Sequence, residues 1–170
     1  RVIPEGKSWE TYSQKKTPGW RISSADGLEG VCPDGSAIEF QNKNTRVLAP
    51  SQFSGDQFAE LDSHCFSSNR NSDSRVKIFQ RIDTLPGKVY KISFLAANRD
   101  NNGSLSLAIS DFKSKDVIKS IEMTKNNQNP SLKLENKKMK KYVFYFEAKG
   151  ELTEISFEDT DPTKSTYGTL

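Results

Sequence analysis

Residues 75–97 read RVKIFQRIDTLPGKVYKISFLAA, and this stretch decides the fold class because its apolar side chains recur at alternate positions. Side chains of a strand point to opposite faces in turn, so the pattern predicts two strands that each have one apolar face. Between them, LPGK at 85–88 predicts a turn, since proline fixes φ and glycine tolerates positive φ. The stretch therefore predicts a strand, a turn and a second strand.

The same alternation recurs along the rest of the chain. Six further predicted strands cover residues 36–41, 57–63, 104–110, 117–124, 142–148 and 152–158. DNNG at 100–103 predicts a plain turn, and residues 64–74 predict a long polar loop. About eight strands with frequent turns and no helical periodicity predict an all-β protein, namely an antiparallel β-sandwich of the jelly-roll type.

Composition narrows the class of protein further. A chain of 170 residues with 34% hydrophobic residues is long enough for one domain with its own core. The net charge of +3 is too small to hold nucleic acid, and no apolar run approaches the roughly 18 residues of a membrane span. We therefore expect neither nucleic acid nor membrane insertion. Arg1 is not an initiator methionine, which indicates a mature or trimmed form.

The two cysteines, Cys32 and Cys65, lie in loop-like segments. A free thiol at such a place would be a liability outside the cell, so the sequence favours one disulfide between them in an exported protein. A zinc site is excluded because His64 is the one other soft ligand. A catalytic dyad of His64 and Cys65 is also excluded, since neighbouring side chains of an extended chain point apart.

Glu60 and Asp62 lie two positions apart on the predicted strand 57–63, so their carboxylates share one face at roughly 7 Å. This separation would suit an inverting glycosidase, but two groups on one flat face do not flank a sugar ring from opposite sides. The sequence favours a structural role, in which Ala59 and Leu61 enter the core while the carboxylates bond to nearby loops. Contact with a ligand is the alternative.

A basic run, KKMKK at 137–141, lies between two predicted strands. Its simplest interpretation is a solvated turn, because charge runs of this length are usually exposed. The alternative is a surface patch that binds an anionic glycan or lipid.

Five segments follow one another in a familiar order: PEGKSWETYSQKKTPGW (4–20), AIEFQ (37–41), GDQFAELDS (55–63), FQRIDTLPGKVYKISFLAANR (79–99) and ISFEDTDPTKSTYGTL (155–170). They resemble bacterial extracellular jelly rolls of the galactose-binding-like class, which include many carbohydrate-binding modules. The resemblance covers nearly the whole chain. It implies a single domain, residues 1–170, within a longer exported protein, with the family's first and last strands trimmed. It also implies one structural calcium ion, whose usual ligands cannot be assigned to residues of this sequence.

The resemblance implies a lectin-like, non-catalytic glycan-binding module that is secreted or on the cell surface, in an extracellular or periplasmic setting. Aromatic faces and planar polar groups hold sugars. The opening loops offer Trp9, Tyr12 and Trp20, and later loops offer Arg99, Asp100 and Tyr167. The candidate ligand-binding residues are Trp9, Tyr12, Trp20, Glu60, Asp62, Arg99, Asp100 and Tyr167. An equally open interpretation has the two tryptophans plugging the ends of the sandwich. The alternative function is an adhesion domain whose partner is a surface protein.

Overall fold

The computed structural model describes residues 7–17, 19–24, 36–42, 55, 57–61, 75–99 and 103–161. Ten strands lie within these ranges: β1 (Trp9–Ser13), β2 (Arg21–Ser24), β3 (Ala37–Asn42), β4 (Gln57–Glu60), β5 (Val76–Asp83), β6 (Val89–Ala96), β7 (Ser104–Asp111), β8 (Val117–Thr124), β9 (Lys140–Glu147) and β10 (Leu152–Asp159). Two short 3-10 turns cover Gln14–Lys16 and Pro130–Leu132. No helix in the described ranges is long and apolar enough to cross a membrane.

The strands form three antiparallel sheets. The largest has the strand order β2-β5-β10-β7-β8, and the smaller ones are β1-β3-β4 and β6-β9. The chain crosses repeatedly between the large sheet and the small ones, as it does when it passes from β5 to β6 and back to β7. The protein is therefore an antiparallel β-sandwich of the jelly-roll type, which confirms the predicted fold class.

An apolar row runs across all five strands of the large sheet. Its members occupy facing positions in the strand pairings and belong to one core cluster: Ile22, Ile78, Phe157, Leu107 and Ile121. Facing residues of an antiparallel pair project on the same side of the sheet, so the row forms a continuous apolar band. Phe157 of β10 lies at its centre.

Both small sheets bury their apolar faces in the same core cluster. Phe94 of β6 meets the ring of Phe157 edge-on, with 4.8 Å between the ring centroids. In the three-stranded sheet, Tyr12 of β1 packs on Phe40 of β3 at 5.9 Å. The inward positions that alternation predicts are confirmed. Leu105, Leu107 and Ile109 of β7 are buried, and Ile92 and Phe94 of β6 pack against the core.

The LPGK turn forms as predicted, with Gly87 at a φ of 76°. The strands on its two sides do not pair with each other, however, because β5 belongs to the large sheet and β6 to the two-stranded one. The turn therefore carries the chain between layers. The sequence predicted that Trp9 and Tyr12 lie in opening loops, and this was wrong, because both lie on β1. That strand and β2 are short and rich in polar residues, which weakened their alternation.

Gly150, in the link between β9 and β10, approaches another side chain closely. A Cβ added to Gly150 would lie 1.9 Å from Oδ2 of Asp111. Asp111 is fixed in turn, because its Oδ1 accepts a hydrogen bond of 2.7 Å from the backbone amide of Ser114. We expect Gly150→Ala to lower the free energy of unfolding by about 1–3 kcal/mol in urea denaturation. Gly87→Asn is the control, because its surroundings are open and Asn tolerates positive φ. An unchanged unfolding midpoint for Gly150→Ala would contradict the close approach.

Tyr142 donates a hydrogen bond of 2.6 Å from its phenol to the carbonyl of Lys133. Burial, assisted by the nearby charge of Glu135, raises the pKa of Tyr142 to about 12. Because the pKa of Tyr142 is higher in the folded protein than in the unfolded chain, neutral Tyr142 stabilises the folded state. This contribution to the free energy of unfolding is fully present below the ordinary tyrosine pKa of about 10 and is lost as the pH rises towards 12. We expect Tyr142→Phe to lower stability by about 1 kcal/mol at neutral pH and to flatten this alkaline decline. Tyr145→Phe, at a position 57% exposed, should do neither.

Candidate functional site

A cleft of about 530 Å³ lies between β4 and β6. Its described lining comes from β4 and the residue after it, from the end of β6, from the start of β9 and from the large sheet beneath. The lining residues are Trp20, Gln57, Phe58, Ala59, Leu61, Ile78, Ser93, Phe94, Leu95, Ala96, Leu105, Met139, Lys141 and Phe157. The cleft is thus built where the two small sheets meet over the core.

The floor of the cleft is aromatic. Trp20 lies just before β2 and is half-buried, with its ring centroid 6.1 Å from that of Phe157. Phe94 contacts the same ring from β6. Because Phe157 is in the middle of the large sheet, the three rings are held by the core rather than by a mobile loop. Each ring is therefore positioned before any ligand arrives.

Four lining residues point away from the core and define what we call the mouth of the cleft: Phe58, Ser93, Leu95 and Lys141. Phe58 faces Gln41 across β3 and β4, on the side opposite the core. Ser93 and Leu95 alternate with the inward residues of β6, and Leu95 faces Lys141 of β9. In the described part of the chain, β6 pairs with β9 alone. One edge of β6 therefore borders the cleft.

A buried ion pair braces one end of the cleft. Nη1 of Arg99, just after β6, donates to both carboxylate oxygens of Glu60 on β4, at 2.8 and 2.7 Å. Glu60 is fully buried, and its carboxylate also accepts a hydrogen bond from the side-chain amide of Gln41. The same amide donates to Glu39 at 2.7 Å. The pair connects the two walls of the cleft, because Glu60 ends one wall and Arg99 follows the other.

The Glu60 carboxylate is held by side chains of the protein itself, and its role stays a prediction. Ala59 packs against the core cluster and Leu61 is buried in it, as predicted, while the Glu60 carboxylate projects to the opposite side. Its partners are an arginine and a glutamine, and it does not line the cleft. A carboxylate held in this way is poorly suited to transfer protons to a sugar.

The other described candidates fall into three different surroundings. Trp20 lines the cleft, as a ligand-binding role requires. Tyr12 is 7% exposed in the core, so the structure places it under the sheet rather than at a ligand surface. Trp9 lies on the outer face of β1, opposite Gln41 of β3, and is 44% exposed but outside the cleft.

Several predicted residues lie outside the described ranges. These are Asp62, Asp100 and Tyr167 of the candidate site and the cysteines of the predicted disulfide, Cys32 and Cys65. Among the residues that the structure does describe, no group of three or more His, Cys, Asp and Glu side chains is arranged to hold a metal ion. The disulfide and the calcium ion stay predictions.

Three residues of the cleft were not among the predicted site residues: Phe58, Phe94 and Lys141. A signal for Phe58 was available, because it lies two positions before Glu60 and so shares its face on the strand. Phe94 was identified as an inward residue, but an inward residue at the edge of a gap between sheets also faces that gap. Lys141 belongs to the basic run at 137–141. The sequence shows this run, but its position beside a cleft depends on the tertiary fold.

No family model and no curated protein matches this sequence. Several solved structures do match. One, described as "CBM4 structure and function", is 15% identical with a TM-score of 0.40, covering 92% of this chain and 81% of that one. Another is the enzymatically active domain of bacteriophage CBA120 tailspike protein 4, at 13% identity and a TM-score of 0.49, covering 94% of this chain and 19% of that one. At these values the likenesses carry no weight for function, and the fold assignment depends on the strand pairing itself.

Removal of one partner should reveal how much the ion pair stabilises the protein. We expect Arg99→Ala to lower the free energy of unfolding by about 3–5 kcal/mol, because it removes the arginine that pairs with the buried charge of Glu60. The added change Glu60→Gln removes that charge and should recover a large part of the loss. Lys113→Ala is the control, since its pair with Glu151 is exposed and worth about 1 kcal/mol or less. Equal losses in the Arg99 and Lys113 variants, measured by chemical denaturation, would show that the ion pair does not brace the cleft.

Proposed function

We propose that the protein is a non-catalytic carbohydrate-binding module and that the cleft between β4 and β6 holds the glycan. The observation on which this rests is the combination of aromatic rings with a small set of polar side chains in one preformed cleft. The cleft volume of about 530 Å³ lies within the usual range for binding sites of small ligands.

The lining suits a sugar chemically. A pyranose ring presents apolar C–H groups on its faces, which pack against aromatic rings such as Trp20 and Phe58. Its hydroxyl groups require hydrogen-bonding partners at the periphery, and Gln57, Ser93 and Lys141 offer them at the wall and mouth. An apolar floor with polar groups at the rim supplies both kinds of contact to one ring.

The rigidity of the cleft also supports binding. Association is weakened by the entropy of ordering loops and side chains, so a site with fixed walls binds more tightly. The Glu60–Arg99 pair fixes the spacing of the two walls, and Phe157 fixes the floor. Since Glu60 is engaged by Arg99 and Gln41, the described residues favour holding a glycan over cleaving it.

A second candidate function is recognition of a surface protein. It is favoured by the edge of β6 along the cleft, where in the described chain no second strand pairs. An extended peptide can add to such an edge through backbone hydrogen bonds. This mode would tolerate substitution of Trp20, whereas sugar stacking would not.

The proposed setting is extracellular or periplasmic. A disulfide between Cys32 and Cys65 and a structural calcium ion belong to this proposal, since exported domains of this size often carry such features. Binding experiments should therefore be run with calcium and with EDTA.

The test of glycan binding compares the two tryptophans of the chain. On a glycan array, we expect Trp20→Ala to weaken the strongest signals by about tenfold or more, because it removes the stacking surface. Trp9→Ala should stay within about threefold of the unsubstituted protein, since Trp9 lies outside the cleft. Phe58→Ala provides a second cleft variant at the mouth, in case loss of Trp20 unfolds the protein, and thermal unfolding monitors each variant.

Three outcomes would count against the proposal. An array without signals, with and without calcium, from protein that unfolds cooperatively would leave protein recognition as the better candidate. Signals lost with Trp9→Ala and retained with both cleft variants would place the glycan elsewhere. Turnover of a bound glycan that disappears with Glu60→Gln would show that the protein is an enzyme.

A further inference from the structure

The basic run at 137–141 lies at the mouth of the cleft rather than on a remote turn. Met139 and Lys141 both contribute to the cleft lining. Lys141 is exposed and faces Leu95 across the β6–β9 pair, so its side chain shares the outer face with the other residues of the mouth. The run therefore supplies one cation to the proposed binding site.

The turn that carries this cation is fixed by specific contacts. The backbone amide of Lys137 donates to the carbonyl of Asn98 at 2.7 Å, next to Arg99 of the ion pair. Lys137 adopts a φ of 52°, which reverses the chain before β9 begins. The start of β9 is thus tied to the end of β6, and Lys141 is held beside the cleft.

The lysines of the run differ in what they contact. Lys138 forms an ion pair with Glu135 at 3.4 Å. Lys140 donates to the carbonyls of Pro130 and Lys133 and lies 5.1 Å from the ring centroid of Tyr142. Lys141 has no acidic partner among the described residues. Its charge is therefore available to a ligand.

The charges around the cleft do not cancel this cation. Among the described lining residues, Lys141 is the one charged side chain. Glu60, which pairs with Arg99, and Glu39, which accepts a hydrogen bond from Gln41, both lie outside the lining. Lys91 adds a second positive charge on the same outer face, opposite Tyr145.

We infer that the glycan bound in the cleft is acidic, carrying a carboxylate or a sulfate group that contacts the ammonium of Lys141 while its ring packs on the aromatic floor. This inference rests on the proposed function and narrows its ligand class. A charge-assisted contact at the rim also requires that affinity fall with ionic strength.

The test uses a glycan array in which each acidic glycan is paired with a counterpart that lacks one kind of acidic group. Oligogalacturonate against its methyl ester isolates the carboxylate, and chondroitin sulfate against unsulfated chondroitin isolates the sulfate. We expect acidic glycans to bind best, to lose about tenfold in affinity with Lys141→Gln, and to weaken when salt is raised from about 50 to about 500 mM. Lys138→Gln removes the same charge three residues away and should change affinity less than about threefold.

The outcomes separate this inference from the proposed function. Neutral glycans that bind as well as acidic ones, with affinity unchanged by Lys141→Gln, would overturn the inference and leave glycan binding intact. Equal losses of affinity with Lys138→Gln and Lys141→Gln would contradict a direct contact between Lys141 and the glycan. They would indicate instead a long-range effect of the positive charge of the whole run. Absence of all glycan binding by the folded protein would remove both proposals.

Discussion

The packing of Phe157 is the interaction on which the rest of the structure depends. This ring lies on the middle strand of the large sheet and contacts Phe94 of one small sheet and Trp20 beneath the cleft. It therefore joins the two layers and forms part of the floor of the candidate site. Because protein interiors are close-packed, the position of this ring limits where its neighbours can lie. The site inherits its rigidity from the core in this way.

Local alternation was enough to predict most strands and their inward faces. The pattern of KISFLA places Ile92 and Phe94 inward, and the structure agrees. Alternation carries no information about which strand pairs with which, since any apolar face can pack against any other. Thus β5 and β6 look like a hairpin around LPGK but belong to different sheets, and β9 and β10 are likewise separated. The strands β1 and β2 were not predicted, because each has only four or five residues, many of them polar. So short a segment contains too few repeats of the two-residue alternation to show a strand.

The candidate site was predictable only in part, for a similar reason. Trp20 was identified by residue type, because an aromatic ring in a loop-like segment suggests a sugar contact. Tyr12 satisfied the same criterion and proved to be a core residue, since the number of neighbours around a ring depends on the fold and not on the residue type. Lys141 drew attention only as one of several lysines. What distinguishes it is that it lines the cleft beside β6, and that fact depends on the pairing of distant segments.

The order of the strands has a consequence for how this chain folds. In the large sheet, β10 pairs with both β5 and β7, yet it follows every other described strand along the polypeptide. The two halves of the sheet, β2-β5 and β7-β8, are therefore joined only when β10 pairs with both β5 and β7. Pairings over such long separations form slowly. We therefore expect the pairing of β10 with β5 and β7 to be a slow step in the folding of this chain.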